Sequence, residues 1–257
     1  MNTAVLKEIA EKIVPRKYLR VGGLYFLRAQ HFRFKGNQVQ CTCCKTKLKR
    51  FQPYGKVNYR EYALCTWCLS LERHRLLWLY FERKTELYTK ELSVLHFAPE
   101  HQFQEKLKAQ PNINYLSCDL DMPTAMDKQD ITQLTYEDNR FDVIICNHVL
   151  EHIPDDKLAM SELFRVLKPG GYAILQTPMK KGKTIEDITL NDPKEQERLF
   201  GQNDHVRVYG DDKKDRLEAV GFEVVIDEFV RKDFTVEEQK YYGLMLNEDV
   251  WIANKPL

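Results

Sequence analysis

Four cysteines stand in two pairs, Cys41-x2-Cys44 within "CTCC" and Cys65-x2-Cys68 within "CTWC", with twenty residues between the pairs. Two residues between thiolates let a tight turn aim both sulfurs at one ion about 2.3 Å away, and two such turns close a tetrahedral shell, the pattern of structural zinc. Cys43 falls inside the first pair and competes with Cys44, but only Cys44 keeps the two-residue gap. Disulfide pairing is the alternative and needs an oxidising compartment. Cys118 and Cys146 end apolar runs and read as core. Histidines supply the remaining chemistry. His148 and His152 stand in "NHVLEHIPDD" and His205 in "FGQNDHVRVYG", and imidazole is the side chain best matched to proton transfer near neutral pH. If the second stretch is extended, His205, Arg207 and Tyr209 share one face and Val206 and Val208 the other.

The elements that must position these groups fall into two halves. Apolar strands are expected at 93–97, 113–118, 142–146 and 171–177, separated by helical periodicity at 100–109 and 155–168. Such alternation implies an α/β fold built on a doubly wound, mostly parallel sheet. For the helix at 155–168, Asp155 is the expected N-cap, Leu158, Leu163, Phe164 and Leu167 the apolar face, and Pro169-Gly170-Gly171 the stop. A helix near 211–220 and strands "FEVVIDEF" and "DVWIANK" complete this half. Before it, 3–34 reads as two helical stretches broken at Pro15, 37–69 as a turn-rich cysteine module, and "LERHRLLWLYFERKTELY" as a linking amphipathic helix. These patterns place a small N-terminal helical and zinc-ribbon module at 1–90 and the α/β domain at 91–257.

Charge divides in the same way. Residues 1–90 hold 19 Lys and Arg against 6 Asp and Glu, and residues 91–257 hold 20 against 32, so +13 faces −12 within a net charge of +1. A basic module attracts RNA or an anionic membrane surface, or docks on an acidic partner, whereas a solvated basic surface is the plain alternative. The aromatic-basic interleaving of "RKYLRVGGLYFLRAQHFRFKG" suits peripheral membrane association or packing on a neighbouring domain. The start of the chain lacks the apolar region of a secretory signal and no apolar run approaches a membrane span, so a cytoplasmic location is expected.

The run "DITQLTYEDNRFDVIICNHVLEHIPDD" followed by "ELFRVLKPGGYAILQTP" resembles class I methyltransferases of the type 11 kind, which use S-adenosylmethionine. With "CTCC", "ALCTWCLSLERHRLLWLY" and "FGQNDHVRVYG", the whole chain resembles bacterial members of that class carrying an N-terminal four-cysteine zinc ribbon. The resemblance implies a seven-stranded Rossmann-like sheet, with S-adenosylmethionine and Zn2+ as cofactors. It also implies cofactor contacts from Phe97, Ala98 and Glu100 in the first loop, Asp119 and Leu120 after the second strand, Asp130 and Ile131 near the adenine, and Asn147 with His148 beyond the strand at 142–146. Asp119, about twenty residues past the first loop, is placed to accept from the ribose hydroxyls, with Asp121 as a rival. One departure stands out: "LHFAPE" replaces acid-x-Gly-x-Gly, so His96 occupies the acid's place and Ala98 the first glycine's. The implied activity is methyl transfer to an oxygen or nitrogen of a small molecule, glycan or lipid-linked acceptor, with His205 or His148 taking the proton. RNA methylation through the zinc-bearing module and a non-catalytic interaction role are the alternatives. The sequence leaves the oligomeric state open.

Overall fold

The computed structural model describes residues 28–29, 31–55 and 59–257. The helical reading of 3–34 therefore lies outside the described residues except at its end, where His31–Phe34 is helical and leads directly into a strand. Contacts group the chain into two compact units: the described residues up to Leu79 with Phe234–Leu246, and Tyr80–Asp233 with Asn247–Leu257.

In the first unit β1 (Lys35–Gln40) pairs antiparallel with β2 (Lys47–Leu48), and β3 (Gln52–Tyr54) with β4 (Arg60–Leu64). Each cysteine pair forms the same turn. Lys45 N–H donates to Cys41 O and Leu69 N–H to Cys65 O, while Cys41 N–H donates to Thr46 O and Cys65 N–H to Ser70 O. Lys45 and Leu69, one residue past each second cysteine, both take a left-handed φ of 59°, and so the two knuckles are local copies of one another. The helix Glu72–Lys84 follows the second knuckle. Arg75, fully buried, donates to Ala63 O, Ser70 O, Tyr242 O and Gly243 O and stacks on Phe51. A guanidinium buried with its donors spread over backbone carbonyls is satisfied without a carboxylate. That bonding ties in the helix Val236–Tyr242, whose start is a Thr235/Glu238 capping box and whose end is Gly243 at φ 59°. Any side chain on Gly243 would collide with Phe51, 2.5 Å from a built Cβ.

The second unit is a seven-stranded sheet of β5 (Leu92–Phe97), β6 (Ile113–Asp119), β7 (Asp127–Lys128), β8 (Phe141–Cys146), β9 (Leu167–Ile174), β12 (Glu223–Asp227) and β13 (Val250–Asn254). A separate two-stranded ribbon, β10 (Ile185–Glu186) with β11 (Arg207–Val208), stands outside it. The order β12-β13-β9-β8-β5-β6-β7 is parallel except where β13 runs against both β9 and β12. Its central strands are apolar on both faces, as "VLHF" and "VIIC" show by complete burial, because helices cover each side. Helices His101–Lys108 and Asp156–Val166 make the crossovers. The sheet thus has the doubly wound architecture expected from the alternation.

Two local expectations need correction. Asp155 does cap the helix, accepting from Leu158 N–H at 2.9 Å, but the buried face is Ala159, Met160, Leu163 and Val166. Leu158 is 46% exposed; at 100° per residue it lies roughly 140° from Leu163 around the helix. The helix also stops at Val166, and "LKPGG" belongs to β9. Pro169 disfavours helical backbone at the residue before it. Gly171 lets β8 and β9 close up, since an added Cβ would sit 2.7 Å from Asp142 O.

Candidate active site and metal centres

The carboxyl ends of β5, β6 and β8 lie along one edge, fixed by the registers Phe97↔Cys118 and Phe97↔Cys146. The chain turns from β5 to β6 on one side and to β8 on the other, so the order reverses at β5, where ligands of such sheets bind. Phe97, Cys118 and Cys146 are buried, and burial pushes the Cys118 thiol up to about 12. Both cysteines are therefore core, as their apolar setting implies.

Ala98 leaves β5 with φ 44°, in the left-handed region where a glycine would be unstrained, and its N–H donates to Cys118 O. The backbone thus makes the turn that a glycine motif would make, with a methyl group in place of hydrogen. Pro99 is buried beside it. Glu100 does not present an unengaged carboxylate: Oε2 meets His96 Nε2 at 2.5 Å and Oε1 accepts from Asn147 Nδ2 at 3.2 Å. His96 is wholly buried and its Nδ1 pairs with Tyr115 Oη. A carboxylate is thereby returned, from position 100, beside the place where the sequence lacks one. Asn147 joins three strand ends, since its Oδ1 also accepts from Gln176 N–H.

Asp119 ends β6. Its Oδ1 accepts from Asp121 N–H at 2.8 Å and Met122 N–H at 2.7 Å, closing the loop, and Oδ2 has no partner among the described residues. The rival Asp121 is exposed, with a long contact to Lys128 at 3.6 Å. Leu120 between them is 52% exposed, an apolar side chain left on the rim. Asp130 is exposed and caps its own turn through Thr132, whose backbone N–H and then hydroxyl hold its carboxyl below the usual range. Ile131 packs in the core below.

Past β8, His148 also takes a left-handed φ of 56° and anchors its N–H on Gln176 O. Its side chain is 29% exposed, and Nδ1 meets Glu151 Oε1 at 3.2 Å. A carboxylate only accepts, so Nδ1 carries the proton and Nε2 a lone pair; Nε2 is buried and has no partner among the described residues. Burial alone would raise the Glu151 carboxyl, yet the His148 hydrogen bond carries it below its ordinary value. His205 arrives from the other side of the edge. Fully buried, with Nδ1 on Phe200 O, its ring stands edge-on to His152 at 4.6 Å, and desolvation lowers its pKa. His205, Arg207 and Tyr209 are all buried, and Val206 between them is buried as well. Arg207 donates to Leu150 O, Ile153 O and Pro154 O and pairs with Glu186, and Tyr209 Oη donates to Asp156. Arg207 thereby holds the loop 150–154 against the strand, and Tyr209 holds the start of the helix that follows it.

Nothing in the sequence separates Lys213 from Lys214, but the structure does. Lys213 is wholly buried, donates to Leu175 O at 2.6 Å and Thr177 Oγ1 at 2.9 Å, and lies over the Trp251 ring. Burial pulls its ammonium down to about 7.

In the first unit the sulfurs of Cys41, Cys44, Cys65 and Cys68 lie within 4.8 Å of one another, with Cys41–Cys68 at 3.6 Å and Cys44–Cys65 at 3.7 Å. A tetrahedral ion with bonds of about 2.3 Å sets its sulfurs about 3.8 Å apart, so the donor set fits zinc. Cys43 is turned away, its thiol on His74 O, and the two-residue gap identifies the right partner.

A doubly wound sheet reversing at β5, with an acid closing the next strand and a His/Glu cluster beyond β8, defines a Rossmann-like methyltransferase fold preceded by a four-cysteine ribbon. Residues 91–175 match the family described as "Methyltransferase domain", over about a third of the chain. A ubiquinone biosynthesis O-methyltransferase of Coxiella burnetii is 35% identical over 85 residues, 33% of this chain and 30% of that protein. A demethylmenaquinone methyltransferase of Staphylococcus carnosus is 39% identical over 71 residues, 28% of this chain and 25% of that one. The chain thus spans under a third of the length of these curated relatives. A solved SAM dependent methyltransferase from Archaeoglobus fulgidus is 16% identical with a TM-score of 0.49, covering 70% of this chain and 93% of that chain. Among the described residues, no helix is long and apolar enough to cross a membrane.

Proposed function

We propose that this protein transfers a methyl group from S-adenosylmethionine to an oxygen or nitrogen of a small organic acceptor, with a zinc ion on the four cysteines holding its N-terminal ribbon. The single observation that carries the reading is Asp119, closing β6 beside the sheet's reversal point with one carboxylate oxygen locked into the loop and the other unpartnered among the described residues. Those are the terms on which a carboxylate receives a ribose diol. Leu120, after β6, and Asp130, after β7, serve the base, and Phe97 and Ala98 form the wall next to the methionine end. Glu100 and Asn147 act there chiefly by fixing the strand ends. The names of the aligned relatives, both methyltransferases of quinone metabolism, support a small-molecule acceptor.

The bound cofactor supplies an electrophilic methyl on a sulfonium. The chain must hold the acceptor in line, exclude water and take the acceptor's proton as the new bond forms. His148 is the better placed of the two candidate bases: it stands at the strand exit on the cofactor edge, with Glu151 holding Nδ1 so that Nε2 carries the lone pair. His205 is enclosed and turned toward His152. Calorimetry of the zinc-loaded protein with S-adenosylmethionine tests the reading, with saturable one-to-one binding as the expected result. Absence of heat from a folded protein with its zinc in place removes the enzyme and leaves an interaction module.

A further inference from the structure

We propose that Glu151, His152 and His205 form a second metal site, separate from the four cysteines, that binds a divalent transition ion of the zinc type. One ligand atom from each of the three residues lies within 4.8 Å of the others. The hydrogen bonding around them shows which atoms are available. His205 Nδ1 faces Phe200 O and His152 Nδ1 faces Asp204 O. A carbonyl can only accept, so both rings carry their proton on Nδ1 and offer a lone pair at Nε2. Glu151 uses Oε1 on His148, while its Oε2 and His205 Nε2 are buried without any partner among the described residues.

Three acceptors therefore converge in one place with no donor among them. Such an arrangement is costly unless a cation completes it, since a buried polar atom without a partner has given up its hydrogen bonds to water for nothing. The surroundings already match those of a metal site: ligating histidines characteristically donate their second ring N–H to a backbone carbonyl or carboxylate, which fixes the ring and its tautomer. Two imidazoles and a carboxylate favour zinc, ferrous iron and similar ions over magnesium or calcium, which prefer oxygen alone.

The scaffold is built before any ion arrives. Glu151 and His152 occupy consecutive positions of a 3-10 turn, Leu150–His152, and His205 comes from 53 residues further on. Val206 N–H donates to Glu151 O at 3.0 Å, and Arg207 donates to Leu150 O and Pro154 O, so the two segments are bolted together on either side of the ligands. The positive charge of Arg207 is offset by Glu186 at 3.0 Å and by Asp156 at 3.7 Å. His152 is part-exposed, which gives an entry path. Three protein ligands leave at least one position of a tetrahedral shell open to water or to an acceptor oxygen, whose proton the ion would make easier to remove. Only that use rests on the methyl-transfer reading; ion binding does not.

The test uses the full chain with its ribbon already zinc-loaded, titrated with Zn2+ by calorimetry and with Co2+ by visible absorption. Wild type should take one further equivalent. The cobalt spectrum should show a d–d band without new sulfur-to-metal charge transfer. His152→Asn, a part-exposed position that folding tolerates, and His205→Gln should each weaken the second equivalent by about a hundredfold or more, since removing a ligand costs more than removing a group that only orients one. Absence of a second equivalent in wild type, unchanged affinity in both variants, or a thiolate-type cobalt spectrum overturns the site. Failure of cofactor binding with the second equivalent intact would sink the methyl-transfer reading and leave the metal site standing.

Discussion

Asp119→Asn separates the structural duty of this side chain from its proposed ligand duty. Oδ1 closes the loop by accepting from Asp121 N–H and Met122 N–H, and an asparagine carbonyl can accept both bonds as well. What the substitution removes is the negative charge and the second acceptor, because the amide nitrogen that replaces Oδ2 only donates. The fold should be indifferent, and cofactor binding should not. A hydrogen bond to a charged group is worth about 1.5–3 kcal/mol, and each 1.4 kcal/mol or so is tenfold in affinity, so S-adenosylhomocysteine should bind roughly 10- to 100-fold more weakly. Calorimetry gives the affinity, and thermal unfolding without ligand should match wild type to within a degree or two, about the shift expected from under 0.5 kcal/mol. Asp119→Ala should lose at least as much affinity and some stability as well, because it also abandons the loop. Equal affinity of Asp119→Asn and wild type would refute the assignment of Asp119 to the ribose, whatever the alanine variant did.

Two further outcomes are expected. Cys65→Ser should release the ribbon's zinc and unfold the first unit, because metal binding and folding are one equilibrium in such modules; metal analysis showing full retention would contradict the ligand set. Lys213 titrates near 7 when folded against about 10.4 when unfolded. The unfolded chain therefore holds more protons between those values, and this residue's contribution to stability rises with pH from about 7 upward. In urea unfolding at pH 7 and 9, wild type should gain on Lys213→Met by on the order of 1 kcal/mol per pH unit; a pH-independent difference would show that Lys213 is not a buried, readily neutralised amine.

Whatever depends on neighbours along the chain is legible in the amino-acid sequence. The spacing of Cys41, Cys44, Cys65 and Cys68 selects the four whose sulfurs converge and rejects Cys43, since a knuckle is a turn of local hydrogen bonds. Asp155 as a cap and the four central strands are readable for the same reason, and an apolar run buried on both faces implies helices on either side. The helix face that includes Leu158 is not, because apolar residues on several sides of a helix do not say which side meets the sheet.

Whatever depends on residues far apart in the chain is settled by packing. Glu100 in "FAPEH" takes its partners from His96 and from Asn147, 47 residues away. Lys213 acquires its setting from Leu175, Thr177 and Trp251. The segment 234–246 returns to the first unit through Phe51 and Arg75, contacts that no local pattern encodes. The convergence of His205 on Glu151 and His152 exists because Arg207 and Val206 clamp two loops together. Periodicity and spacing fix local geometry, whereas the partners of a buried polar group are chosen by the tertiary contacts that remove it from water.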